Sequence, residues 1–152
     1  MIIEQFLNWV DSAKAQNRQA AASALARAYL QSDLTVDERC AAEAALTVLL
    51  DDPSPNVRLA LAEALSISHL APIHIVAALA SDQTEVASMV LVRSPLLSDT
   101  DLIDRVALGS DEVQCAIALR AQLSATVCAA IAEVGCLQAC AAMLQNKGAK
   151  IV

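Results

Sequence analysis

The stretch DPSPNVRLALAEAL, residues 52 to 65, decides the fold. It carries two prolines separated by one residue, and proline inside a helix removes a hydrogen bond and clashes with the preceding turn. A helix is therefore expected to begin at Pro55, where proline is tolerated in the first turn, with Ser54 as its N-cap. After Val57 the stretch is mostly Leu and Ala, which favours an apolar helix that ends near Ile67.

Weaker copies of this phrase recur along the chain. Each has an acidic or small opener, then Val or Leu, then an Ala-rich apolar segment, and the copies start at Asp82, Asp111 and Gly135. The anchors Val57, Val86, Val113 and Leu137 are spaced by 29, 27 and 24 residues, and Ala20 lies 37 residues before the first. A period of this size predicts stacked helix pairs, because one short pair cannot bury its apolar face alone.

Apolar periodicity and capping residues predict about ten helices. Thr35 and Glu38 have the spacing of a capping box, and so do Ser98 and Asp101. Lys147 and Gly148 are expected to close the last helix. The predicted helices are 2–14, 17–30, 35–50, 55–67, 72–80, 82–92, 98–108, 112–122, 124–134 and 136–146.

Composition supports a single all-α domain over residues 1–152. Ala accounts for 32 of the 152 residues, whereas only three Gly and four Pro are present. The three aromatic residues, Phe6, Trp9 and Tyr29, all lie within the first thirty positions. Residues 1–15, with apolar positions at Ile2, Ile3, Phe6, Leu7 and Val10, are therefore expected to form an N-terminal capping helix.

Charge and hydropathy narrow the classes of partner. A net charge of −7 argues against nucleic acid and against an anionic membrane surface, since both attract clustered cations. No signal peptide is recognisable, and the longest uncharged stretch, residues 64–81, is too polar to span a bilayer. Five cysteines, an odd number without paired short spacings, indicate reduced thiols and a cytoplasmic location.

A set of arginines is the sharpest internal pattern after the repeat itself. Arg27, Arg93 and Arg120 each lie seven residues after an anchor. In stacked helices these positions form a row, and a row of guanidinium groups can hold carboxylates or phosphates. The alternative is structural, because a cation late in a helix suits the dipole and can tie down carbonyl groups. The functional hypothesis is a groove for an acidic or phosphorylated partner.

Cysteine and histidine give weaker patterns. Cys136 and Cys140 share a helix face, with Cys128 and Cys115 on preceding helices, but no Cys-x-x-Cys occurs and each alternates with Ala and Leu as core residues do. No metal and no cofactor is predicted. His69 and His74 straddle the helix start at Pro72, where pH sensing, metal binding or a plain turn role all stay open. Carboxylates gather at turns, where they suit helix N-termini and leave an acidic rim.

The stretch from Asp52 to Leu65 resembles the second-helix signature of HEAT repeats, in which an Asp-Pro turn, Val-Arg and an Ala/Leu helix recur. The resemblance covers roughly residues 17–146, and the whole pattern is similar to an uncharacterised bacterial family of HEAT-like proteins. It implies an α-solenoid, a right-handed superhelix of about four to five irregular helix pairs. Residues 71–78 are similar to an ankyrin phrase, but that phrase occurs once and the chain lacks the glycines that ankyrin loops need.

HEAT-like proteins mostly bind other proteins, so the resemblance implies a cytoplasmic scaffold or adaptor that binds a protein or peptide along its concave face. An enzyme on the same scaffold is the alternative. A DNA glycosylase of this type needs a basic face, and an iron hydroxylase needs His-Glu pairs; the chain has neither, whereas bilin-lyase chemistry stays open.

The two ends of the chain suggest a third reading, a self-assembly module. The last predicted helix, residues 136–146, is apolar on most sides and has no predicted partner after it. We expect either that the chain is a fragment of a longer protein or that this end docks to something. A homo-oligomer through the aromatic N-terminal helix or through the open C-terminal end is the corresponding expectation.

Overall fold

The computed structural model describes residues 2–152, with side chains from Glu4 onward, and it confirms the all-α prediction. The described part of the chain forms ten helices and no strand, apart from one isolated parallel bridge between Leu123 and Ala149. The helices are α1 (Ile2–Ser12), α2 (Ala15–Gln31), α3 (Val36–Leu49), α4 (Pro55–Leu65), α5 (Ile73–Ala80), α6 (Thr84–Arg93), α7 (Asp99–Leu108), α8 (Asp111–Ala118), α9 (Ala125–Val134) and α10 (Leu137–Gln145).

Both predicted capping boxes are confirmed. The Thr35 hydroxyl accepts a hydrogen bond from the Glu38 N–H (3.2 Å), and the Glu38 carboxylate accepts one from the Thr35 N–H (2.8 Å). Ser98 and Asp101 make the same reciprocal pair at 3.2 and 3.0 Å. Short polar side chains thus satisfy backbone donors that the first turns of α3 and α7 leave unpaired.

The start of α4 differs from the prediction in one respect. Ser54 occupies the N-cap position, but its side chain makes no capping hydrogen bond. Asp52 orders the turn instead, because its Oδ1 accepts a hydrogen bond from the Ser54 N–H at 2.9 Å. A carboxylate that accepts a hydrogen bond from the N–H two residues later forms a local turn, which orders the backbone just before α4.

The even-numbered helices contact one another in chain order, α2 with α4, α4 with α6, α6 with α8 and α8 with α10. Among the odd-numbered helices, α1 contacts α3 and α7 contacts α9, and most helices also contact the one that follows. One continuous apolar cluster runs through these contacts from Ala22 to Met143. Its largest fully buried side chains are leucines and isoleucines, including Leu61, Leu91 and Ile131.

Helix α1 packs against α3 at the N-terminal end. Phe6 is half-buried against the core and lies 6.2 Å, centroid to centroid, from Trp9, which is 38 % exposed. The side chains of Ile2 and Ile3, which were part of the predicted stripe, lie outside the described residues. Tyr29, on α2, is buried and donates its hydroxyl to Glu43 on α3 at 2.6 Å.

The C-terminal segment does not end as predicted. Asn146, not Gly148, is the C-cap of α10, and the chain then turns back to the connection between α8 and α9. There the Leu123 N–H donates to the Gly148 carbonyl (3.0 Å) and the Lys150 N–H donates to the Leu123 carbonyl (3.0 Å). A Cβ atom at position 148 would overlap the Ala121 carbonyl oxygen, so glycine is required by this close approach rather than by a helix cap.

No helix in the described part of the chain is both long enough and apolar enough to cross a membrane.

Candidate functional site

Two ion pairs repeat the same geometry along the even-numbered helices. Arg18 on α2 donates from Nε to Asp52 Oδ2 (2.7 Å) and from Nη2 to Asp52 Oδ1 (3.1 Å). Arg58 on α4 donates in the same way to Asp82, at 2.7 and 3.2 Å. Each arginine also uses Nη1 to reach the carbonyl of a residue that precedes its own helix, Ala13 or Asp52. Planar guanidinium–carboxylate pairs of this kind fix both the distance and the orientation between one even-numbered helix and the start of the next.

The electrostatics agree with this geometry. Burial alone would raise the pKa of the Asp52 carboxyl, but the hydrogen bonds from Arg18 and from the Ser54 N–H together lower it below its usual value. The hydrogen bond to Asp52 raises the pKa of Arg18. The Asp52 side chain is only 1 % exposed, so its charge depends on these partners.

The later even-numbered helices carry other residues at the position that Arg18 and Arg58 occupy in α2 and α4. Arg18 and Arg58 are each the fourth residue of their helix, and the fourth residues of α6, α8 and α10 are Ala87, Gln114 and Cys140. Gln114 is buried; its Nε2 donates to the Val106 carbonyl (2.8 Å) and its Oε1 accepts from the Cys136 N–H (2.8 Å). The neutral amide thus joins α8 to α7 and to the start of α10, a role like that of the arginines but without a charge.

Ala87 leaves a gap in this series. Its side chain lines a 320 Å³ cavity between the start of α6 and α7, together with Asp82, Asp104, Arg105 and Gly109. Arg105 partly fills the space, with Nη2 donating to the Ser81 hydroxyl at 3.2 Å. The cavity therefore lies where a fourth-position arginine of α6 would extend.

The fourth-position contacts correct two of the predicted anchors. They make Asn17, not Ala20, the equivalent of Val57 in α2. In α10 the equivalent residue is Ala139, which is fully buried, whereas Leu137 is 81 % exposed. The spacing from Val113 to its equivalent in α10 is thus 26 residues rather than 24. In α2 the position seven residues after Asn17 is 24, so Arg27 lies three residues beyond the place that matches Arg93 and Arg120.

The three candidate arginines occupy different surroundings. Arg120 is half-buried and donates to two carbonyls at the C-terminal end of α6, Leu91 (2.5 Å) and Ser94 (2.7 Å), and burial lowers its pKa. Arg93 is exposed. Arg27 is exposed as well; its Nε donates to the Ser23 carbonyl within α2. The structural alternative raised for these residues, a cation that ties down carbonyls, describes Arg120.

Asn146, at the end of α10, donates to carbonyls at the end of α8, just as Arg120, which follows α8, donates to carbonyls at the end of α6. It stands at the equivalent place, seven residues after Ala139, and its Nδ2 donates to the carbonyls of Ala118 (2.8 Å) and Arg120 (2.7 Å). Sequence reasoning missed this residue because the anchor of that unit was placed at Leu137.

A groove crosses the last three even-numbered helices. This α6–α8–α10 groove has a volume of about 540 Å³ and is lined by Ser88 and Val92 of α6, by Asp111, Glu112, Cys115, Ala116 and Leu119 of α8 or its end, and by Gln138 of α10. Leu119 is 60 % exposed. Asp111 and Glu112 are exposed at one end of the groove. The arrangement offers an apolar floor with an acidic rim.

A second groove lies between α2 and α4 and has a different character. Its volume is about 400 Å³, and its lining is mostly polar, with Gln16, Gln19, Ser23, Arg27 and Glu63. Arg27 is thus the candidate arginine that lines a groove, opposite a carboxylate. The even-numbered helices therefore present a polar surface at the N-terminal end and an apolar one at the C-terminal end.

The predicted histidines lie beside an apolar patch. Both are exposed, His69 in the connection from α4 to α5 and His74 in the first turn of α5. Ile67, Leu70 and Ile73, each more than 65 % exposed, surround them. These three exposed apolar side chains lie within seven residues of one another, and sequence periodicity could not separate them from the core.

The thiols come together in a pair rather than a cluster. Cys115 on α8 and Cys136 at the N-cap of α10 have their Sγ atoms 3.9 Å apart. Cys140 instead donates to the carbonyl of Ile131 (3.3 Å), Cys128 is buried, and Cys40 is exposed. Within the described residues no three Cys, His, Asp or Glu side chains are grouped closely enough to hold a metal ion.

Residues 86–152 match the model of a family described as "Uncharacterised protein conserved in bacteria" (DUF2336). The comparisons with curated proteins and with solved structures returned no significant match. The matched region begins in α6 and runs through the C-terminal segment, so it contains the α6–α8–α10 groove, the Cys115–Cys136 pair and the Asn146 contacts. The chain thus resembles an uncharacterised bacterial family over its C-terminal part.

Proposed function

We propose that the chain is an α-solenoid of HEAT-like helix pairs that acts as a scaffold, binding another protein in the α6–α8–α10 groove. Three features support the repeat arrangement: the chain-order contacts of the even-numbered helices, the matching Arg18–Asp52 and Arg58–Asp82 pairs, and the matching Arg120 and Asn146 contacts. Each is a contact made in successive units by residues at the same helical position, which is how a quasi-one-dimensional array is held together.

The observation that carries the binding role is the groove itself. Its floor brings apolar side chains from two helices, Val92 and Leu119, to a surface where Leu119 stays mostly exposed. Concave apolar surfaces with a few polar groups at the rim are the usual form of binding sites. Asp111 and Glu112 at that rim favour a partner segment that carries apolar side chains with a basic residue beside them.

Binding of an acidic or phosphorylated partner by Arg27, Arg93 and Arg120 stays a separate prediction. Arg120 already donates to backbone carbonyls, and Arg27 lines the other groove. The three arginine side chains therefore do not lie on one common surface, whereas the residues of the α6–α8–α10 groove do. For this reason the apolar groove, not the arginine row, is the surface we propose.

Site-specific photo-crosslinking tests the proposal. A photoreactive residue at Leu119, in the groove, is compared with one at Leu108, which is 89 % exposed on α7. The full chain is irradiated in an extract of its own cells. We expect a discrete cross-linked protein from position 119 and none from position 108.

Competition makes this test specific. Excess unlabelled Leu108→Asp chain should abolish the cross-link, whereas the Leu119→Asp chain should not. Cross-linking from both positions with equal yield would remove the groove from consideration. A product with the mass of two copies of the chain would instead assign the groove to self-assembly.

A further inference from the structure

We propose that Cys115 and Cys136 are a thiol oxidation site, which closes to a disulfide between α8 and α10 when a hydroperoxide is present. The inference rests on the placement of these two thiols and does not depend on the proposed partner binding. No other two cysteines of the described residues are shown with their sulfur atoms in contact.

The two sulfur atoms are held near bonding range by contacts outside the thiols themselves. They lie 3.9 Å apart, and a disulfide bond is about 2.0 Å long, so the sulfurs must approach by about a further 2 Å to form the bond. Gln114, the residue before Cys115, accepts a hydrogen bond from the Cys136 N–H at 2.8 Å. The side chain of one residue thus fixes the backbone of the second cysteine beside the first.

The pair is open to a small oxidant. Both thiols are partly exposed, and Cys115 lines the α6–α8–α10 groove. A hydroperoxide that enters the groove therefore reaches the pair without any opening of the core. Cys128 differs in this respect because it is buried.

The two sulfurs have different surroundings, which suggests an order of events. The Ala139 N–H at the first turn of α10 donates to the Cys136 sulfur at 3.4 Å. Burial and the neighbouring Cys136 raise the pKa of Cys115, which keeps it a thiol until it reacts. We assign Cys136 as the first nucleophile because a peptide N–H donates to its sulfur, and Cys115 as the thiol that resolves the intermediate; the reverse order gives the same disulfide.

The chemistry balances with hydrogen peroxide as the oxidant. The Cys136 thiolate attacks one peroxide oxygen, an S–O bond forms, the O–O bond breaks, and the departing hydroxide takes a proton to leave as water. Cys115 then attacks the resulting sulfenic acid; its thiol proton passes to the departing oxygen, the S–O bond breaks, and a second water leaves. The two sulfurs lose two electrons in total, and these reduce the peroxide.

The test treats reduced, full-length protein with stoichiometric hydrogen peroxide, alkylates the remaining thiols, and digests with trypsin and a Glu-specific protease. Cleavage after Glu112, Arg120, Glu133 and Lys147 places Cys115, Cys128 and Cys136 on three different peptides. We expect a cross-linked pair of peptides, 113–120 joined to 134–147, which dithiothreitol separates.

Variants assign the bond and keep the proposal falsifiable. Cys40→Ser and Cys140→Ser should retain the linked peptides, whereas Cys115→Ser and Cys136→Ser should each lose them. Because a cross-link constrains the unfolded chain, the thermal midpoint of the wild type should rise by several degrees on oxidation, and that of Cys115→Ser should not.

Full alkylation of Cys115 and Cys136 after a treatment that oxidises exposed Cys40 would overturn the proposal. So would a bond from Cys115 to Cys128 or Cys140. Circular dichroism of each variant before oxidation establishes that a lost cross-link reflects the missing thiol and not a lost fold.

Discussion

Arg58 and Asp82 join α4 to the start of α6 through two parallel hydrogen bonds, Nε to Oδ2 at 2.7 Å and Nη2 to Oδ1 at 3.2 Å. Both side chains are about 15 % exposed, so the pair is largely removed from water. Arg18 and Asp52 repeat this arrangement one unit earlier. The repeated contact means that each pair joins one even-numbered helix to the start of the next even-numbered helix.

Arg58→Ala should lower the free energy of unfolding by about 2–3 kcal/mol, because Asp82 loses two charge-assisted hydrogen bonds while staying largely buried. Urea-induced unfolding measures the change. Arg93→Ala, which removes an exposed arginine, is the matched control and should cost less than about 0.5 kcal/mol. Similar losses in the two variants would show that the ion pair adds nothing beyond a surface cation.

Asp52→Asn should make stability less dependent on pH in the acid range. The folded state lowers the pKa of Asp52, so its contribution is present above the usual carboxyl pKa and is lost as pH falls through the folded value. The difference in unfolding free energy between wild type and variant should be constant near neutrality and shrink below about pH 4. Urea midpoints across a pH series measure this, and Asp33→Asn, at an exposed position, should show no such convergence.

Gln114→Leu should cost about 2–3 kcal/mol of unfolding free energy. The substitution replaces the amide by an apolar side chain and leaves the Val106 carbonyl and the Cys136 N–H without their partner in a buried region. Gln138→Leu, at an exposed position on α10, serves as the control and should change stability little. A neutral result for Gln114→Leu would indicate that α8 and α10 are held by apolar contacts alone.

Gly148→Ala should release the C-terminal segment from the connection between α8 and α9. The added methyl group would overlap the Ala121 carbonyl oxygen, and the backbone must move away to relieve the overlap. Hydrogen exchange should become faster at the amides of Leu123 and Lys150, which are bonded across this contact. Lys147→Ala should leave both amides protected; unchanged exchange in Gly148→Ala would contradict the structure at this point.

The sequence was sufficient for the helices wherever local chemistry marks an end. The Thr35 and Ser98 capping boxes and the proline at the start of α4 act within a few residues, so their effect can be predicted from spacing alone. Equivalent positions in different helices were harder to match where the sequence is uniform. Asn17 and Ala20 both fit an Ala-rich helix, and only the contact between Arg18 and Asp52, 34 residues apart, separates them.

Burial at the C-terminal end was the other point that sequence could not settle. Leu137 and Ala139 are both apolar, yet the larger residue is exposed and the smaller one is buried. The choice depends on how α10 rotates against α8, and Gln114 and Asn146 fix that rotation through contacts more than 20 residues away in sequence. Cys136 and the groove residue Gln138 lie at the start of α10, so their placement depends on the same rotation.

One set of variants can distinguish binding by the three arginines from binding in the α6–α8–α10 groove. Arg120→Gln should lower the free energy of unfolding by about 1–2 kcal/mol, since it removes two charge-assisted hydrogen bonds to the carbonyls of Leu91 and Ser94. Arg27→Gln and Arg93→Gln should leave stability unchanged, because both side chains are exposed. If the groove is the binding surface, the double variant Arg27→Gln/Arg93→Gln should also keep the full cross-linking yield from position 119. Loss of that cross-link in a stably folded double variant would move the binding surface to the arginines and favour an acidic or phosphorylated partner.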